Sequence, residues 1–71
     1  MNKPDFDINA QSDPSKQTLL MVAAAYGNDD LVFELIIRGA DLELRDAKLK
    51  TALFHASSRV NLNAIELLVA A

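Results

Sequence analysis

The side chains most able to do chemistry in this chain lie close together, in the stretch "TALFHASSR" at residues 51–59. It carries the single histidine, His55, with Ser57 and Ser58 just beyond it. A histidine beside a serine could act as base and nucleophile. Positions two or three apart on a helix converge poorly, however, and no third group is evident to orient the imidazole. One histidine also lacks further ligands at a metal-binding spacing, and a chain without cysteine has no thiolate to offer. Asp41, Glu43 and Asp46 form an acidic cluster. A calcium loop needs more oxygens at fixed spacing and a glycine at its sharp turn. Here Leu42 and Leu44 alternate with the acids, which is the pattern of an ordered connection with solvated charges. Two glycines in all leave no loop to cradle a phosphate. The expectation is a protein that is not an enzyme and holds no cofactor or metal, with His55 packed beside Val22 as a bystander. Arg45, Lys48, Lys50 and Arg59 are the remaining group of interest. As one positive rim they would suit an acidic partner; as solvated loop charges they would aid solubility alone.

The elements that must position these residues come from a short chain. Seventy-one residues make one small domain, and 51% of them are hydrophobic, too many for a disordered acidic tail. A domain of this size without disulfides is only marginally stable. The net charge of −3 argues weakly against nucleic acid, since phosphate binding needs a cationic surface. The opening "MNKPDFDINA" is not a secretory signal. The longest apolar run, Leu19 to Tyr26, is too short to span a bilayer. These features lead us to expect a cytoplasmic protein with neither nucleic-acid nor membrane partners.

Internal repetition organises the chain. A shift of 33 residues lays Asp13 on Asp46, Thr18 on Thr51, Leu20 on Leu53, Ala23 on Ala56, Asn28 on Asn61 and Leu35 on Leu68. Each match falls where a helical hairpin needs a turn residue, a cap or a core residue. "TLLMVAAAY" reads as a helix of small and apolar residues, broken by Gly27. Asn28 can cap the next helix, and Asp29 and Asp30 sit in its first turn, where the helix dipole favours negative charge. "LVFELIIR" runs on to Gly39, a suitable residue for the helix end. The second copy repeats the plan with "TALFHASSR" and "NLNAIELLVAA". There Asn61 is one candidate cap, and Asn63, which with Glu66 has capping-box spacing, is the other.

These residues resemble the ankyrin repeat, a 33-residue unit with a Thr-Pro-Leu-His-x-Ala core. Thr18, Leu20 and Ala23 match that core in one copy; Thr51, Leu53 and Ala56 match it in the next. "RGADLELRD" at residues 38–46 resembles the family's link from an outer helix to the next turn, and "DINAQSD" at residues 7–13 resembles the tail of an earlier repeat. The motif proline is replaced by Leu19 and Ala52, the motif histidine by Met21 and Phe54, and the turn glycine by Lys16 and Leu49. Val60 stands where Gly27 stood. His55 lies one place beyond the motif histidine, so the hydrogen bonds that histidine makes with the threonine are expected to be missing.

The resemblance implies an all-α solenoid of stacked helix–turn–helix units, two full repeats and a partial one. The divisions are an N-terminal segment with the tail of a partial repeat at 1–12, repeat 1 at 13–45, and repeat 2 at 46–71, truncated at its end. It implies a protein–protein interaction module that binds on its concave face and that can regulate or inhibit a partner. The expected contact residues are Ser15, Gln17, Tyr26, Lys48, Lys50, Ser58 and Arg59, at the turn tips and the ends of the inner helices. Tyr and Arg are frequent binding hot spots, and Tyr26 and Arg59 hold matching positions. The alternative is a structural or self-associating fragment of a longer ankyrin protein, because "LLVAA" ends without a cap or polar outer face. Phe33 and Ile37 leave a further question. Four apart, they share a helix face, at positions the ankyrin pattern usually makes polar. Either that helix is rotated, or an apolar stripe faces outward.

Overall fold

The computed structural model describes residues 7–71, so the first half of the 1–12 segment lies outside the described residues. Four helices follow one another: α1 Leu19–Tyr26, α2 Asp29–Ile37, α3 Ala52–Ser58 and α4 Leu62–Ala70. Among the described residues there is no strand, only an isolated bridge between Ser12 and Gln17 across a turn. Each hairpin packs on itself, α1 on α2 and α3 on α4. The two hairpins then stack in register, α1 against α3 and α2 against α4. The fold is the expected all-α stack of helix–turn–helix units.

Local chemistry sets the helix limits. The hydroxyl of Thr18 accepts the backbone N–H of Met21 at 3.2 Å, and that of Thr51 accepts Phe54 N–H at 3.3 Å, satisfying one free donor at each start. The first cap is reciprocal, contrary to expectation. The thioether of Met21, in the place of the motif histidine, accepts Thr18 N–H at 3.5 Å. Phe54 has no acceptor to return, so only the second copy lost that bond. Asn28 caps α2 by accepting Leu31 N–H at 3.4 Å. Gly27 ends α1 at φ +71° and Gly39 ends α2 at φ +87°, both left-handed. The turns that lack their glycine keep the same backbone regardless: Lys16, Leu49 and Val60 stand at φ +59°, +65° and +56°. The hairpin turns are thus regular, at the cost of placing side chains where glycine is favoured.

The core is thin. Among the described residues, six of the eleven buried apolar ones are alanines (Ala23, Ala24, Ala40, Ala52, Ala56 and Ala64), so helices approach closely but few large side chains interlock. Leu20, Met21 and Val32 are its largest fully buried members. Ile8, Leu42 and Leu44 pack on it from the links, which confirms the inward alternation of the acidic stretch. Leu53 departs from expectation. Its counterpart Leu20 is 1% exposed, but Leu53 is 39% exposed because α3 is the last member of its layer. The question over α2 is settled for the outward stripe. Val32 and Leu35 are buried as the repeat requires, which leaves Phe33 and Ile37 exposed at 51% and 63%.

Candidate functional site

Asp46 sits where the second turn begins, and its carboxylate organises that turn. Oδ1 accepts the backbone N–H groups of Lys48 and Lys50, each at 2.9 Å. Oδ2 lies 2.8 Å from His55 Nε2, on α3. A carboxylate only accepts, so the imidazole donates. The two side chains are 5% and 17% exposed, so the pair is largely dry. The Lys50 backbone N–H, first among several bonds, holds the Asp46 carboxyl below the usual carboxylate range, although burial pushes the other way. His55 is therefore no bystander: it ties the turn to the helix that follows. The interaction could be found in the aligned repeats, where the pair Asp13 and Val22 becomes Asp46 and His55, the one copy in which both groups are polar.

The turns are also bolted to each other. Gln11 Nε2 donates to the carbonyls of Lys16 at 3.1 Å and Arg45 at 2.7 Å. Ala47 N–H donates to the Ser15 carbonyl at 2.9 Å. Asn9 Oδ1 accepts Asp41 N–H at 2.8 Å, which seats the N-terminal link beside the next one. On the other side of the helices, Asn61 does not cap α4 with its side chain. Its Nδ2 reaches across to the carbonyls of Ala24 and Ala25 at 2.7 and 2.9 Å. Asn63 likewise makes no capping box with Glu66; it donates to Asp29 Oδ2 at 3.1 Å. Both asparagines join one hairpin to the next. Sequence reading placed them at a helix start but missed this.

Two adjoining grooves lie along the α1/α3 layer beneath the turns. One, of about 380 Å³, is lined by Ser15, Gln17, Lys48 and Lys50, with Asp46, Phe54 and His55 on its floor. The other, of about 390 Å³, is lined by Gln17, Val22, Tyr26, His55, Ser58 and Arg59. Gln17 and His55 belong to both. All seven expected contact residues thus line one continuous surface, contributed by two turns and two helices. Two of its three cations lie over aromatic faces: Lys50 Nζ is 4.4 Å from the centre of the Phe54 ring, and the Arg59 guanidinium is 6.0 Å from that of Tyr26. Among the described residues Asp46 is the only acid lining either groove, and it is already bonded to its own turn. Arg45 lines neither groove, so the positive rim consists of Lys48, Lys50 and Arg59.

A family model for ankyrin repeats in three copies matches residues 2–71. M-phase phosphoprotein 8 of Homo sapiens is 47% identical over 49 residues, 69% of this chain and 6% of that protein. Ankyrin repeat domain-containing protein 17 of Homo sapiens is 44% identical over 45 residues, 63% of this chain and 2% of that protein. Alpha-latrotoxin-Lh1a of Latrodectus hasselti is 39% identical over 67 residues, 94% of this chain and 5% of that protein. The chain therefore spans only a small fraction of the length of these relatives. With hairpins stacked in register and a family model matching almost from end to end, the chain belongs to the ankyrin-repeat family.

Proposed function

We propose that this chain is a protein-binding module whose α1/α3 face grips an acidic segment of another protein and regulates that protein by occluding the segment. Ankyrin repeats are generally protein–protein interaction modules and typically non-enzymatic, which supports the general reading. One observation carries the finer one: the twin groove gathers Ser15, Gln17, Tyr26, Ser58 and three cations, while the only acid among its described residues is internally bonded. Cation-on-aromatic stacking holds Lys50 and Arg59 in place before a partner arrives, and such preorganisation lowers the entropic cost of binding. The test starts with selection of binding segments from a displayed peptide library, followed by titration against Tyr26→Ala/Arg59→Ala. We expect selected segments to be acidic and the double variant to lose about tenfold in affinity or more, as for a truncated hot-spot pair. Neutral or basic winners, or unchanged affinity in the double variant, would remove the proposal.

A second reading is favoured by the apolar end of the stack, where Leu42, Leu53, Leu68 and Val69 line a shared hollow. On this reading the chain is a structural unit that associates with itself or with a further repeat. Sedimentation over a range of concentrations separates the two. A strictly monomeric chain that unfolds cooperatively rules out self-association.

A further inference from the structure

The opposite layer of the molecule carries a surface of opposite character. Between α2 and α4 runs a groove of about 540 Å³, lined by Asp29, Asn63, Glu66, Leu67 and Ala70. It continues into a second hollow of about 360 Å³, lined by Gly27, Asp29, Val60, Asn61, Leu62 and Asn63. The hydrogen bond between Asn63 and Asp29 lies at their junction and holds the walls together. Leu67 and Ala70 give the larger groove an apolar floor, and Leu62 and Val60 stand exposed in the adjoining hollow. Phe33, half exposed, is one helical turn beyond Asp29 on the same side of α2. Among the described residues no lysine or arginine lines either hollow. Glu66 forms no ion pair among the described residues, and neither does exposed Asp30 in the first turn of α2.

We infer that this outer groove is a second docking site, for a basic amphipathic segment of a partner protein. Charge decides the class of occupant. An acidic rim around an apolar floor rejects acidic segments and anionic surfaces, and it complements lysine or arginine flanking two or three large apolar side chains. Size agrees: α4 runs from Leu62 to Ala70, roughly 12 Å at the rise of an α-helix, enough for about two turns of a docked helix. Further repeats do not compete for the site. A solenoid grows at its ends, each unit touching only its neighbours, and this groove lies along the side of the stack between two units already paired. The inference is independent of the α1/α3 proposal, since the two surfaces share none of the described residues.

The test uses a synthetic amphipathic peptide of leucine and lysine and its leucine–glutamate counterpart. Amide shifts are mapped by NMR, affinities are read by fluorescence anisotropy, and sedimentation is run alongside. The lysine peptide is expected to move the amides of Asn63, Glu66, Leu67 and Ala70, and to bind more weakly as salt is raised. Glu66→Lys should weaken it about tenfold, the effect of reversing one rim charge at a small interface. Glu66 is exposed, so the thermal midpoint of this variant should match the native chain, and Glu66→Gln should give an intermediate loss. The glutamate peptide should leave these amides in place. Binding that moves other amides only, or that Glu66→Lys does not change, overturns the inference. A dimer of the free chain that Glu66→Lys dissolves would overturn it too, by assigning the groove to a second copy.

Discussion

Asp13 and Asp46 occupy matching places in the repeat but do different work. Asp13 is exposed and pairs with Lys16 at the surface. Asp46 is buried and bonds two backbone amides and an imidazole. This difference has a pH consequence whose sign follows from linkage. The Asp46 carboxyl is held below its ordinary value of 3.8, chiefly by the Lys50 backbone amide. On acidification the unfolded chain therefore takes up the proton first. The stabilisation is complete above the ordinary value and disappears as the pH falls through the depressed folded one. The urea midpoint should fall as the pH is lowered below about 5, and less steeply in Asp46→Asn, which keeps an acceptor but has no charge to titrate. Equal slopes in the two chains would show that the drop comes from other carboxylates. Backbone strain gives a second prediction at this scale. Val60 is β-branched, exposed and at φ +56°, so Val60→Gly removes strain with almost no loss of packing. We expect a gain of about 1 kcal/mol in chemical denaturation, the cost of a left-handed side chain offset by the greater freedom of glycine in the unfolded chain. Exposed Leu49, at φ +65°, should respond in the same direction.

The elements were the most legible part of the sequence, because their signals are local. Thr18, Asn28 and Thr51 announce helix starts, Gly27 and Gly39 announce ends, and a 33-residue shift superposes one hairpin on the next. The same locality explains the misses. A side chain that can cap its own helix can also reach a neighbouring one, and only the packed stack decides between them. Asn61 chose the carbonyls of Ala24 and Ala25 and left α4 without a side-chain cap. His55 chose Asp46 across nine positions. The rotation of α2, which periodicity alone left open, was decided by the burial of Val32 and Leu35. The cross-link gives a sharp prediction. Asn61→Ala removes the side-chain donor from the Ala25 carbonyl and leaves the Ala24 carbonyl only the Gly27 N–H, in a partly buried setting, and should cost about 1–2 kcal/mol. Asn61→Asp should cost more, since a carboxylate faces the same carbonyls and cannot donate. Asn63→Ala, whose bond to Asp29 is exposed, should cost well under about 1 kcal/mol by the same urea measurement. A similar loss in both alanine variants would remove Asn61 from its place as the bolt between hairpins.

Across the whole molecule the candidate site was legible further than its wiring. The seven residues placed by repeat position do line one surface, because solenoid geometry projects equivalent positions to the same side. The acidic outer groove was not foreseen, since it forms only where α2 meets α4 and combines positions 34 apart, Asp29 and Asn63. The stack also has a mechanical property that neither hairpin has alone. In a solenoid, stability is a sum of unit and interface contributions. Here a core made largely of alanine contributes little, while Leu53, Leu68 and Val69 line an open hollow at one end. Joining a further helical hairpin with a polar outer face after Ala71 should cover that hollow. Leu53 and Val69 would each gain about 1–2 kcal/mol on full burial, so the urea midpoint should rise. The control is the pair of polar replacements Leu53→Gln and Val69→Lys. In the chain as it stands Val69 is largely exposed and Leu53 is 39% exposed, and the change should stay within about 1 kcal/mol. In the extended chain the same pair should erase most of the gain. If the replacements cost the same in both chains, the added hairpin is not seated on the hollow, and the marginal stability has its cause within the two hairpins themselves.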